Sequence, residues 1–153
     1  RAMPNTAAIV GRSATAYAAG SDATPQDREL AESIFSSIGE VYPVEEKLLD
    51  AVTGLSGSGP AYVFLMIEAL ADGGVSCGLP RKLSQDLAIQ TVLGAAELAK
   101  ATSEHPAVLR EMVTSPGGTT AAALAELENR GVRAAFIGAV RAAERRSREL
   151  AGQ

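Results

Sequence analysis

Ser58-Gly59-Pro60-Ala61-Tyr62-Val63-Phe64-Leu65-Met66-Ile67 sets the architecture of this chain. Ser-Gly-Pro opens a helix reaching about Val75, since proline is tolerated in a first turn whose N–H groups have no intrahelical partner. From Ala61 to Ile67 the helix is apolar on all sides, and Glu68 and Asp72 are its first charges. A helix without a polar face must be surrounded by protein. Few other helices are available in so short a chain, so a second subunit is expected to supply the cover.

The pattern stays helical downstream. Pro80 opens a helix to about Lys100, with Leu83, Leu87, Gln90, Thr91 and Gly94 along it. His105-Pro106 starts a short one to Val113, and Thr119-Thr120 starts another ending near Asn129-Arg130-Gly131. The last runs from Val132 to about Leu150, its Arg141, Arg145, Arg146 and Arg148 suited to the negative end of the helix dipole. Upstream, residues 46–55 read as a short helix. Before Glu45 the character changes. Ala7-Ala8-Ile9-Val10 and 14–18 read as two strands joined at Gly11-Arg12-Ser13. Thr24-Pro25 starts a helix to about Ile38, with Leu30, Ile34 and Ile38 on one face, and 40–44 reads as one more strand. A hairpin, a helix and a strand of this size cannot make a core, and they read as the tail of an α/β domain.

Composition narrows the classes. The 153 residues carry 14 Lys+Arg against 18 Asp+Glu, a net charge of −4, which leaves no basic footprint for nucleic acid. At 46% hydrophobic and 21% charged the chain is globular, and charges interrupt every apolar run before it could span a membrane. One cysteine, Cys77, excludes an internal disulfide framework, and one histidine, His105, excludes a His-rich metal site. No metal is expected, and a reducing, cytoplasmic setting is. Opening on Arg1-Ala2-Met3, with neither an initiator Met nor a secretory pattern, the sequence reads as a piece of a longer polypeptide. Aromatics are 4% and Trp is absent, so small side chains and close helix packing are expected.

Two stretches could carry chemistry. In Thr114-Ser115-Pro116-Gly117-Gly118-Thr119-Thr120, proline fixes a turn and two glycines open the backbone to an anion. The helix that follows offers free N–H groups and the positive end of its dipole. With three hydroxyls around it, this is a cradle for a carboxylate or phosphate. The same residues would equally serve as a plain glycine turn with Thr119 or Thr120 as N-cap. In 51–61, Thr53-Gly54-Leu55-Ser56-Gly57-Ser58-Gly59 is neither a P-loop, for no lysine follows, nor a dinucleotide fingerprint, for no suitable strand precedes it. It reads as a tight connection between helices, with Thr53, Ser56 and Ser58 facing a cleft or small residues serving close packing. His105 reads as a cap or surface residue and Cys77 as packed. Glu68 and Asp72, at i and i+4, are read as meeting an arginine or a cap.

Taken in order, Arg1-Ala2-Met3-Pro4-Asn5-Thr6, the 51–62 stretch, Gly78-Leu79-Pro80-Arg81, His105-Pro106, Ser115-Pro116-Gly117-Gly118-Thr119-Thr120, Gly131-Val132-Arg133, and Arg146-Ser147 with Glu149-Leu150 resemble the C-terminal half of pyrroline-5-carboxylate reductases. The resemblance covers essentially the whole chain. It implies a mainly α fold, with a helical dimerisation domain of the 6-phosphogluconate dehydrogenase C-terminal-like kind over 45–153. Residues 1–44 would be a hairpin–helix–strand remnant of the α/β Rossmann domain.

The implied activity is NAD(P)H-dependent reduction of 1-pyrroline-5-carboxylate to L-proline, the last step of proline biosynthesis. By that resemblance Ser115, Thr119 and Thr120 bind the substrate carboxylate, with Gly117 and Gly118 allowing its approach. Thr53 hydrogen-bonds the ring nitrogen as the catalytic residue, and Asn5 lies near the nicotinamide end of the cofactor. Some members carry a carboxylate two residues before His-Pro; here Ser103 stands there with Glu104 beside it, and the role of either stays open. The resemblance also implies a homodimer, with higher oligomers open, while charge and composition leave no nucleic-acid or membrane partner expected. Without the glycine-rich half, the chain alone is expected neither to hold NADPH or NADH tightly nor to turn over. The alternative is a non-catalytic helical dimer that binds proline or a related carboxylate.

Overall fold

In the computed structural model, which describes residues 1–152, Thr24 and Pro25 open α1 (Pro25–Ser36). The Thr24 hydroxyl accepts from the Asp27 N–H at 3.2 Å, while the Asp27 carboxylate accepts from the Thr24 N–H at 2.9 Å. This reciprocal cap satisfies two otherwise unpaired donors. The hydrogen bond from the Thr24 side chain also holds the Asp27 carboxyl below the ordinary aspartate value.

Three strands, β1 (Ala2–Met3), β2 (Ser13–Tyr17) and β3 (Gly39–Pro43), lie in the order 1-2-3. Ala2 pairs antiparallel with Tyr17, and Thr15 pairs parallel with Val41. The run β2–α1–β3 is thus a parallel crossover unit, an α/β signature. The middle strand is the buried one. The Ser13 and Thr15 hydroxyls bond each other at 2.9 Å, so neither is left unsatisfied. Tyr17 donates its phenolic proton to Glu32 at 2.6 Å, tying the sheet to α1 and raising the phenol's pKa. Ala16, Ala18 and Leu49 form the core here, with Met3, Val44 and Val52 packed against it.

The strand expected at 7–10 is instead a 3-10 helix, Thr6–Val10. Asn5 Oδ1 accepts from the Ala7 N–H at 3.1 Å, and Gly11 ends the helix in the left-handed region. Ile9 and Val10 are 90% and 73% exposed, so their β-forming side chains pack in no sheet. The antiparallel partner of β2 is β1.

The helix expected over 46–55 is also corrected, being a succession of three pieces. A 3-10 turn, Glu46–Leu48, leads to α2 (Leu49–Val52) and then to a π-helical turn, Thr53–Gly57. Beyond it come α3 (Gly59–Ser76), α4 (Arg81–Thr102), α5 (Pro106–Met112), α6 (Thr119–Asn129) and α7 (Val132–Ala151). These elements divide into two compact units, one of Arg1–Tyr62 with the chain from Ala135 onward, the other of Val63–Ala134.

In the second unit, close contact is made by small residues. Ala71, Ser84 and Ala88 are buried, and Ser84 Oγ donates to the Ala71 carbonyl at 2.6 Å. Many large apolar side chains are exposed instead. Phe64 is 64% and Leu65 67% exposed, and Leu70, Leu83 and Leu87 are also exposed. Phe64, Ile67, Ala71 and Ile89 help line an open cleft of about 650 Å³, together with the ion-paired Asp72 and Arg81. Cys77, expected to be packed, is exposed, because α3 ends at Ser76 and the chain turns away at Gly78. Among the described residues no helix is long and apolar enough to cross a membrane.

Candidate functional site

The Ser115–Thr120 loop owes its shape to its sequence. Pro116 and Gly117, with Gly117 at φ +69°, are the second and third residues of a turn closed by the Gly118 N–H on the Ser115 carbonyl at 3.0 Å. Proline followed by a residue with positive φ is the signature of a type II turn. Gly118 is then the N-cap of α6, and unlike Thr24 or His105 it has no side chain to accept from the first turn. The N-terminal N–H groups of α6 are therefore left without a side-chain cap. A Cβ on Gly118 would sit 2.3 Å from Ser115 Oγ, so glycine is what lets that hydroxyl fold back over the turn. Ser115 and Thr119 are exposed and Thr120 half-buried. The plain-turn reading made Thr119 or Thr120 the cap; both lie inside the helix instead. What results is an uncapped helix start with hydroxyls beside it, suited to an anion.

Thr53 lies in the other unit, as the first residue of the π-helical turn. Its hydroxyl donates to the Leu49 carbonyl at 2.8 Å. A carbonyl can only accept, so the hydroxyl proton is committed there and Thr53 faces any ligand with its lone pairs. Ser56 bonds back to the Val52 carbonyl in the same way at 3.2 Å. Gly54 is buried against α7, and a Cβ there would lie 2.6 Å from the Val140 carbonyl. Asn5 belongs to this neighbourhood, because its Nδ2 donates to the Ser56 carbonyl at 3.0 Å. After that bond and the cap on Ala7, its amide retains one proton and one lone pair. That link to the Thr53 turn carried no sequence signal.

The remaining candidates have local roles. His105 Nδ1 accepts from the Ala107 N–H at 3.2 Å, so the histidine caps α5. Asp72 meets Arg81. Ser103 ends α4 in the left-handed region, and both it and Glu104 are exposed. Arg133 bonds Glu128 at 2.5 Å and holds its carboxyl below the ordinary range, stapling the turn between α6 and α7. Among the described residues no group of three or more His, Cys, Asp or Glu could hold a metal ion.

Residues 46–150 match the pyrroline-5-carboxylate reductase dimerisation family. The chain belongs to that family. It is 63% identical over 150 residues to the pyrroline-5-carboxylate reductase of Synechocystis, covering 98% of this chain and 56% of that protein. The structure of a pyrroline-5-carboxylate reductase from Coxiella burnetii superposes with a TM-score of 0.94 at 44% identity, covering 98% of this chain and 56% of that one. The Plasmodium falciparum pyrroline carboxylate reductase, solved with NADP bound, does so at 0.91 and 38%, covering 95% and 59%. The chain thus spans a little over half the length of these reductases. A pyrroline-5-carboxylate reductase dimerisation domain accounts for the mainly helical fold, and the small α/β segment lies ahead of the matched residues.

Proposed function

We propose that this chain supplies the dimer interface and the substrate-carboxylate loop of a cytoplasmic reductase that converts 1-pyrroline-5-carboxylate to L-proline with NADPH or NADH. The observation that carries this reading is the uncapped start of α6 behind the Gly117-Gly118 turn, in a chain that belongs to this family. Ser115, Thr119 and Thr120 bind the carboxylate, and Gly117 and Gly118 keep Cβ atoms out of its way. A carboxylate gains from each charge-assisted bond about 1.5–3 kcal/mol. As organisation, residues 1–44 belong with a nucleotide-binding domain and 45–153 with the helical one. The partner is a second copy of the chain, meeting the exposed apolar surface that includes Phe64 and Leu65.

The chemistry follows from charge. When bound, the reduced nicotinamide supplies a hydride to the imine carbon, and the C=N π pair moves onto nitrogen, which must hold a proton. Thr53 can only accept, so it suits a ring nitrogen that already carries its proton, and such an iminium carbon is the better hydride acceptor. Thr53 therefore orients the ring rather than acting as an acid, for a hydroxyl of ordinary pKa is a poor one. The donor set on Asn5 fits a minor contact with a carboxamide, using its remaining proton and lone pair. The bulk of cofactor binding falls to parts of the reductases that this chain does not span.

Titrating the 15N-labelled chain with L-proline tests the cradle. Amide shifts confined to Ser115–Thr120 and their neighbours are expected. No shift up to millimolar proline, or shifts scattered over the surface, would refute it.

A further inference from the structure

The turn that carries Thr53 is held from outside. In its π register the Ser58 N–H donates to the Thr53 carbonyl at 2.8 Å, one residue farther back than the Gly54 carbonyl an α-helix would use. Pro60 has no N–H, so Ser56 lacks the donor that a continuing α-helix would bring to its carbonyl. Side chains fill both positions. Tyr62 Oη donates to the Gly54 carbonyl at 3.1 Å, and Asn5 Nδ2 donates to the Ser56 carbonyl at 3.0 Å. α7 closes the third side at Gly54. A π-helical turn is rare, and such turns are frequent at functional sites.

We propose that Tyr62 is a positioning residue: by holding the Gly54 carbonyl it fixes the π register, and so the direction in which Thr53 presents its lone pairs to the ring nitrogen of a cyclic imino acid. This rests on the role proposed for Thr53. Were Tyr62 only a packing residue, its ring would matter and its hydroxyl would not. Tyr62→Phe keeps the ring and removes only the donor.

The test is a double-mutant cycle in a chimaera, the Synechocystis reductase with its matched stretch replaced by this chain. Rates of pyrroline-5-carboxylate reduction are measured for Tyr62→Phe, Thr53→Val and the pair, with thermal midpoints as a check on folding. Tyr62→Phe is expected to lower kcat/KM about fivefold, the worth of one neutral hydrogen bond. In the Thr53→Val background the same change is expected to cost nothing further, because the two act through one group. Loss of the same factor in both backgrounds, or no loss from Tyr62→Phe while Thr53→Val is impaired, would overturn the assignment. A Thr53→Val chimaera as active as its parent would instead remove the role of Thr53, and this inference with it.

Discussion

Replacing Thr119 and Thr120 together by alanine raises the KM for pyrroline-5-carboxylate about a hundredfold in the chimaera, while kcat falls far less. In the proposed role each hydroxyl contributes a bond to a charged group, and losing two such bonds of about 1.5 kcal/mol or more gives that factor. The carboxylate is bound in ground and transition states alike, so the loss falls on KM. Folding is not at stake. Gly118 is the cap, Thr119 and Thr120 lie inside α6, and alanine is the better helix former. Serine at both positions keeps the hydroxyls and is expected to recover most of the affinity. An unchanged KM in the alanine pair would mean that the loop does not bind the substrate.

Glutamate at both Phe64 and Leu65 leaves the chain monomeric at concentrations where the parent is a dimer. These side chains are exposed within the chain, on a helix of which only Ala71 is buried. Cover from a second copy would place two carboxylates in an apolar contact, each at several kcal/mol without a partner. Association is expected to weaken by about three orders of magnitude or more, read by sedimentation equilibrium with circular dichroism as a check on helix content. A parent chain that sediments as a monomer, or a variant that stays dimeric, would contradict the interface.

The helices were legible because their start signals are local and agree. Pro25 after Thr24, Pro106 after His105, and the Ser-Gly-Pro entry to α3 each mark a helix start that the structure keeps. The family was legible in the order of its short strings. The departures lie where caps or tertiary contacts override residue preference. Ala7-Ala8-Ile9-Val10 has strand-forming residues, but Asn5 and Gly11 bracket a single 3-10 turn, and no neighbour offers that stretch a ladder. Apart from Leu55, residues 53–57 are poor helix formers by type, and the Thr53 and Ser56 hydroxyls bond back to carbonyls four residues earlier. In the register they adopt, the Gly54 and Ser56 carbonyls accept from Tyr62 and Asn5, and Asn5 is distant in sequence. The loop at Ser115–Thr120 was readable as a cradle; which residue caps α6 was not, since threonine is itself a common cap.

The most direct measurement is pyrroline-5-carboxylate-dependent NADPH oxidation by the unmutated chimaera, compared with the Synechocystis reductase itself. If this chain carries the substrate site and dimer interface of such an enzyme, the chimaera turns over with a KM for pyrroline-5-carboxylate close to that of the reductase it was built from. A folded, dimeric chimaera that binds NADPH yet leaves pyrroline-5-carboxylate unreduced would contradict the account.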